Sequence, residues 1–97
     1  MLYQDNQMSH LADDKAKLLG RVRRLRGQME AIERAVDGEK DCGEILHLVA
    51  SVRGAIAGLT NELLDAHLQH HVLDVDDEEA RRRGVEDLSS VLRSYLK

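Results

Sequence analysis

Cys42, the only cysteine of the chain, and the pair His67 and His71 carry side chains that bind transition metals. The two histidines are four residues apart, so on a helix their imidazoles project from one face, one turn apart. The sequence from Cys42 to His71 contains no proline, and along one helix Cys42 and His67 lie about 37 Å apart. Because a metal–ligand bond measures about 2 Å, one chain cannot bring all three residues to one ion. Either they are unrelated, or a second, antiparallel copy brings its own Cys42 to the two histidines.

Simpler interpretations exist for each candidate ligand. A histidine pair near a polar helix end is more often surface decoration, and a lone cysteine is usually a small hydrophobic residue. Cys42, however, falls at a predicted helix N-terminus, where the helix dipole favours the thiolate that binds metal. One thiolate with several imidazoles suits Ni(II), Co(II), Zn(II) or copper better than magnesium or calcium. Spacing alone leaves the metal open.

Two long helices are predicted before residue 72. The first runs from about Leu11 to Asp37, with Gly38 as a left-handed C-terminal cap. The second begins after the capping pair Asp41 and Glu44. Each carries apolar residues in 4-3-4-3-4 spacing, which is typical of a packed helix seam. The seam of the first helix is Leu18, Val22, Leu25, Met29, Ile32 and Val36, and that of the second is Ile45, Val49, Val52, Ile56, Leu59 and Leu63.

A shorter third helix is predicted after Asp76 and Glu79, and no strand pattern is present. The loop between the first two helices spans about three residues, which predicts an antiparallel hairpin. The hairpin places His10 beside His67 and His71 of the same chain. A dimer pairing second helices antiparallel would then add Cys42 from the other copy.

Composition favours an oligomer without membrane or export signals. The chain has 97 residues, no Phe and no Trp, so a monomer core would rest on aliphatic side chains alone. No apolar run approaches about 18 residues, so a membrane span is not expected. One unpaired cysteine fits a reducing cytoplasm. We expect an extension over residues 1–9 and a single helical domain over residues 10–97.

The net charge of −4 hides a basic segment in the first helix. Arg21, Arg23, Arg24 and Arg26 occur within six residues with no acid among them, where a solvated face would usually supply acidic i,i+4 partners. Contact with nucleic acid phosphates is the favoured interpretation. No helix-turn-helix or zinc finger is present. Catalysis is not expected, because the carboxylates are scattered and there is no phosphate-binding glycine loop.

Several motifs resemble the CsoR/RcnR family of bacterial transcriptional repressors, from Met8 onward. They are Arg21-Val-Arg-Arg-Leu-Arg-Gly-Gln28, the lone Cys42, Val52-Arg-Gly-Ala-Ile-Ala-Gly-Leu59, the His67/His71 pair and Leu92-Arg-Ser-Tyr-Leu-Lys97. The resemblance implies an all-α, three-helix protomer that forms a dimer of dimers. It also implies a repressor that binds double-stranded operator DNA until an inducer lowers its affinity. Arg21, Arg24 and Arg53 match basic positions of the family, while local charge alone adds Arg23 and Arg26.

Four positions sort the branches of this family. His10, Cys42, His67 and His71 reproduce the pattern of the nickel/cobalt branch, so the resemblance implies Ni(II) or Co(II) as inducer of an efflux operon, with Zn(II) or copper binding in vitro. If the chain began at Met8, the amine of Ser9 could join the site. Two alternatives stay open: a formaldehyde- or electrophile-responsive repressor that uses Cys42, and a helical metal-binding protein that does not bind DNA.

Overall fold

Three α-helices and one π-helical turn make up the secondary structure of the computed structural model, which describes residues 14–96. They are α1 (Lys15–Asp37), α2 (Cys42–Leu68), the π-helical turn (Gln69–Leu73) and α3 (Glu78–Tyr95). The described residues contain no strand, which confirms the predicted all-α, three-helix protomer. The boundary predicted between residues 9 and 10 falls outside them, and so does the predicted start of α1 near Leu11.

The end of α1 differs from the prediction by one residue. Gly38 has φ −82° and is not left-handed, whereas Glu39 has φ 53°. The backbone nitrogen of Glu39 donates to Val36, and that of Lys40 donates to Ala35, at 3.1 and 2.9 Å. This pair of bonds is the Schellman arrangement, in which the residue after the cap is left-handed. The helix simply continues through Gly38, so the left-handed position falls on a glutamate.

Aspartates begin the two later helices. An Asp41 carboxylate oxygen accepts from the backbone nitrogen of Gly43 at 3.1 Å, as predicted for the start of α2. At α3 the capping residue is Asp77, which accepts from Ala80 at 2.9 Å, and not the predicted Asp76. Each carboxylate satisfies a backbone N–H that has no partner within its own helix. Cys42 is thereby fixed as the first residue of α2.

Chain contacts divide the described residues into two compact units, residues 14–60 and 61–96. In the first unit, Gln28 of α1 donates from Nε2 to Ser51 Oγ of α2 at 3.1 Å. Arg21 lies against Gly58, where an added Cβ would be 2.8 Å from the guanidinium Nη1. Compared with the contact between Gln28 and Ser51, this second contact lies seven residues earlier on α1 and seven residues later on α2. The two helices therefore run antiparallel in this unit, as the short loop predicted.

Only part of each predicted seam faces the other helix. Within the described residues the buried apolar side chains are Ala35, Val52 and Ala66. Arg21 and Gln28 occupy inward positions of α1, whereas the residues that follow them, Val22 and Met29, are exposed. The seam is thus wider than one helix pair can cover.

The uncovered residues form a surface that we call the apolar face. Its members are Leu19, Val22, Met29 and Val36 of α1 with Leu46, Val49 and Ile56 of α2. Val22 and Met29 follow inward residues of α1 by one position, and Val49 and Ile56 do the same on α2. In an antiparallel pair, this displacement carries both sets to the same side. One side of the hairpin is therefore apolar and open to solvent, with Val36 57% and Leu46 63% exposed.

The segment Cys42–Leu73 is long and apolar enough to cross a membrane by length and composition alone, which differs from the expectation that no such segment exists. Core helices of soluble proteins share this property. Arg53 and Asp65 are charged side chains on the exposed surface of α2, and such groups are costly in a bilayer interior. The apolar character of α2 is accounted for by the seam and the apolar face.

In the second unit, α3 packs against the π-helical turn. Arg81 donates from Nε to the carbonyl of Val72 at 3.1 Å, and its terminal nitrogen Nη2 donates to the carbonyl of Val75. One side chain of α3 thus binds two backbone acceptors of the preceding segment. Gly84 is the buried residue of α3.

Candidate metal centre and basic surface

His67, at the end of α2, and His71, in the π-helical turn, lie side by side, as their spacing predicted. Their ring centroids are 4.9 Å apart and the rings are inclined by 31°. Both residues are half-buried. Two neighbouring imidazoles of this kind can act as two ligands of one transition metal ion.

One nitrogen of His67 is already engaged by the protein. Nε2 lies 2.8 Å from the carbonyl oxygen of Gly84, in a half-buried contact. A carbonyl oxygen only accepts hydrogen bonds, so Nε2 must carry the proton. In the neutral ring the lone pair is then on Nδ1. This is the arrangement typical of metal-binding histidines, whose second ring nitrogen donates to a carbonyl or carboxylate.

Gly84 also fixes the distance between α3 and His71. A Cβ added at Gly84 would lie 2.1 Å from the backbone carbonyl oxygen of His71 and 3.3 Å from its Cβ. Real atoms do not approach so closely, and a backbone oxygen cannot swing away as a long side chain can. Only glycine allows α3 to sit where its carbonyl meets His67. α3 therefore supports both candidate ligands through one residue.

The second α-helix was predicted to continue unbroken to about His71, but it ends at Leu68 and a π-helical turn follows. The backbone nitrogen of Asp74 donates to Gln69 across five residues, at 2.9 Å. The Gln69 side chain also donates to Asp74 Oδ1 at 2.8 Å, and His70 Nδ1 lies 3.9 Å from Asp74 Oδ2. Such turns are rare and occur often at functional sites. His70 therefore faces Asp74 and not the pair.

The other two predicted ligands are Cys42 and His10. Cys42 is exposed at the first position of α2, 25 residues before His67 on the same helix. His10 lies outside the described residues. Among residues 14–96, no group of three or more His, Cys, Asp or Glu side chains is arranged to hold a metal ion. The histidine pair could supply two ligands of a metal ion, and the described residues of one chain do not complete such a site.

Four of the five arginines predicted to contact phosphate are exposed: Arg23, Arg24, Arg26 and Arg53. Arg21 differs, because it is half-buried in the helix pair with its guanidinium over Gly58. Arg24 follows Arg21 by three residues and shares its side of α1, while Arg23 points elsewhere. The five residues do not form a single cluster within one chain.

Two structural contributors to the site were missing from the sequence analysis, Gly84 and Arg81. For Gly84 the available signal was a glycine within the otherwise helical pattern of residues 78–95. A glycine inside a helix lowers its stability relative to alanine, so its presence indicates that close packing requires it. No sequence signal pointed to Arg81, because its role depends on the backbone carbonyls of Val72 and Val75 in and after the π-helical turn.

Comparison with known proteins agrees with this description. Residues 14–94 match the family model described as metal-sensitive transcriptional repressor. The transcriptional repressor RcnR of Citrobacter koseri is 37% identical over 90 residues, covering 93% of this chain and all of the relative. An uncharacterized protein from the bioA 5′ region of Serratia marcescens is 44% identical over 91 residues, with the same coverage.

A solved structure shows the same fold. It is a Glu-to-His variant of the formaldehyde-responsive regulator FrmR from Salmonella enterica serovar Typhimurium. The two chains are 39% identical with a TM-score of 0.81, and the match covers 86% of this chain and 94% of the other. Fold, family match and full-length relatives agree with the resemblance noted in the motifs. The chain belongs to the CsoR/RcnR family of metal-sensitive transcriptional repressors.

Proposed function

We propose that this repressor binds operator DNA in its metal-free form and releases it when Ni(II) or Co(II) binds. The ion would be held by His10, His67 and His71 of one copy and by Cys42 of a second copy. The observation that carries the proposal is the histidine pair, with one ring fixed so that Nδ1 is available. A bound ion would supply a strong, directional link between chain segments, and nothing in this function requires a reaction at the metal.

The second copy follows from two features of the chain. Cys42 and His67 are at opposite ends of one helix, so sharing an ion within one chain is excluded by length. The apolar face also leaves large side chains in solvent, including Met29 and Ile56. A contiguous exposed patch of this kind is typical of a protein interface. A homodimer with antiparallel α2 helices would cover it, and two such dimers would give the proposed tetramer.

DNA binding would depend on phosphate contacts and operator shape. The exposed arginines of α1 and Arg53 of α2 give positive charge without a helix that could enter the major groove as a standard module. Affinity for DNA should therefore fall steeply with salt. A tetramer would present the basic segment of α1 four times, a local positive charge that the net charge of −4 per chain hides.

The response to metal is a linkage between two binding sites. An ion that joins His10 and the histidine pair to a neighbouring Cys42 would move the arginines away from the geometry that matches the operator. A coupling of roughly 1–3 kcal/mol changes DNA affinity about 5- to 150-fold. The same factor must apply in reverse, so DNA should weaken nickel binding equally.

A formaldehyde response is the second candidate, because Cys42 is exposed and a solved relative is a formaldehyde-responsive regulator. One experiment separates the two. Ni(II), Co(II), Zn(II), Cu(I) and formaldehyde are added separately to a complex of the protein with DNA from upstream of its own gene. Release by nickel or cobalt supports the proposal. Release by formaldehyde alone, with a one-carbon adduct on Cys42 by mass spectrometry, contradicts it.

A further inference from the structure

Arg21 occupies a position of α1 where an apolar side chain is usual. It lies in the same inward series as Gln28 and Ala35, each seven residues after the last, and Ala35 is buried. The Nε atom of Arg21 is itself buried. An arginine at such a position must extend its stem through the helix pair so that its charged end reaches water.

Gly58 supplies the opening. The guanidinium of Arg21 lies so near Gly58 that an added Cβ would be 2.8 Å from Nη1 and 3.8 Å from Cζ. Apart from the residues next to Gly58 and the nearby backbone of α2 itself, no other described atom is within 4 Å of that added atom. The head of Arg21 therefore occupies the space that any other residue at position 58 would fill.

Arg21 lies on the same side of α1 as two exposed basic residues. Lys17 precedes Arg21 by four residues and Arg24 follows it by three, so all three share one face of α1. Lys17 and Arg24 are both exposed. Because the Arg21 side chain crosses over Gly58, its positive charge is added to those of Lys17 and Arg24.

We propose that Gly58 is a positioning residue, which directs the guanidinium of Arg21 to the basic face and holds it ready for a DNA phosphate. The proposal rests on the proposed binding of operator DNA. The aliphatic stem of Arg21 is fixed between two helices and has already lost much of its conformational freedom. Binding a phosphate therefore costs less side-chain entropy than it would for a fully exposed arginine. A methyl group at position 58 would displace the guanidinium, because a flexible side-chain end moves more easily than helix backbone.

The test compares Gly58→Ala with Gly54→Ala. Both changes add a methyl group to the same helix, and both raise its helix propensity. The added Cβ at Gly54 meets nothing within 4 Å, so this variant is the matched control. Affinity for the upstream DNA is measured over a range of salt concentrations, and Arg21→Ala and the double variant with Gly58→Ala are included.

Gly58→Ala should weaken DNA binding roughly 3- to 10-fold, a part of what the loss of a charge-assisted hydrogen bond costs. The slope of log affinity against log salt should fall by about 0.9 for each Arg21 that contacts a phosphate. Gly54→Ala should change neither quantity, and the double variant should bind as Arg21→Ala alone. A general loss of stability would not change the salt slope in this selective way.

Three results would overturn the inference. The first is equal DNA affinity and salt slope for Gly58→Ala and Gly54→Ala, and the second is a double variant weaker than Arg21→Ala. Either leaves the proposed function intact. The third is a folded, unaltered protein that does not bind the DNA at all, which removes the proposed function as well. An NMR measurement without DNA adds a direct check: exchange of the Arg21 Nε hydrogen with water should accelerate in Gly58→Ala only.

Discussion

The imidazole Nε2 of His67 donates to the backbone carbonyl of Gly84 at 2.8 Å, which joins a candidate metal ligand directly to α3. The same glycine lies against the backbone of His71. Because both candidate ligands contact the same glycine, the position of α3 and the geometry of the histidine pair should change together. This relationship leads to the first two predictions.

Gly84→Ala should destabilise the protein by about 2–3 kcal/mol and should also weaken nickel binding. The added Cβ would lie 2.1 Å from the carbonyl oxygen of His71, so α3 must move away from the pair. Chemical denaturation and a metal titration measure the two effects. Gly54→Ala, whose Cβ meets nothing, is the control. Unchanged stability in Gly84→Ala would show that α3 does not pack as described.

The metal-free protein should contain His67 with its proton on Nε2. A carbonyl acceptor permits no other neutral form. Nitrogen-15 NMR of the ring distinguishes the two tautomers, and nickel should then perturb Nδ1. His67→Ala should lower nickel affinity at least as much as the 10- to 100-fold typical of supporting residues. His70→Ala is the control, since His70 faces Asp74; an equal loss in that variant would contradict the assignment.

Arg81→Ala should cost about 1–3 kcal/mol of stability, because two backbone carbonyls, those of Val72 and Val75, would lose their donors. The neighbouring Arg83→Ala should change stability little. Arg83 forms an exposed ion pair with Glu79 at 4.0 Å, and such pairs contribute on the order of 0–1 kcal/mol. Thermal unfolding of the two variants tests this difference. Similar melting temperatures would refute the bridging role of Arg81.

Glu39→Gly should stabilise the protein by about 1 kcal/mol. Glu39 has φ 53°, a conformation that is strained for residues with a Cβ and free of strain for glycine. Glu39→Ala removes the same charge and keeps the strain, so it should not share the gain. If alanine and glycine stabilise equally, the effect belongs to the charge and not to the backbone.

Ile56→Asp should shift the protein to a smaller assembly, because it places a charge in the apolar face that a second copy would bury. Lys40→Asp, a charge change in the loop between α1 and α2, is the control. Analytical ultracentrifugation reports the masses. An Ile56→Asp variant that sediments as the unaltered protein does would rule out this face as the interface.

Much of the fold followed from local patterns. Apolar spacing, short loops and capping aspartates act over a few residues, so they located α1, α2 and α3 to within a few positions. The histidine pair followed from helical spacing in the same way. The hydrogen bond between Nε2 of His67 and Gly84 did not, because it joins residues 17 positions apart and depends on how α3 packs.

The seam of α1 shows a second limit of local patterns. Leu25 and Met29 both belong to the predicted seam of α1, yet Leu25 is half-buried and Met29 is exposed. Periodicity reports that a residue is apolar, and it does not say which partner covers it. The left-handed backbone of Glu39 and the π-helical turn likewise depend on small differences in conformational free energy, which residue types alone do not reveal.

Mixing two variants that each lack one of the proposed nickel ligands tests the shared site most directly. Cys42→Ala and His67→Ala are each expected to bind nickel poorly. After the two are unfolded together and refolded, a mixed dimer would hold one site with both Cys42 and His67 intact and one site with neither. The proposal predicts that tight nickel binding returns in the mixture, in an amount set by the mixed dimers. Binding no tighter than in the separate variants would show that no ion is shared between Cys42 of one copy and His67 of another.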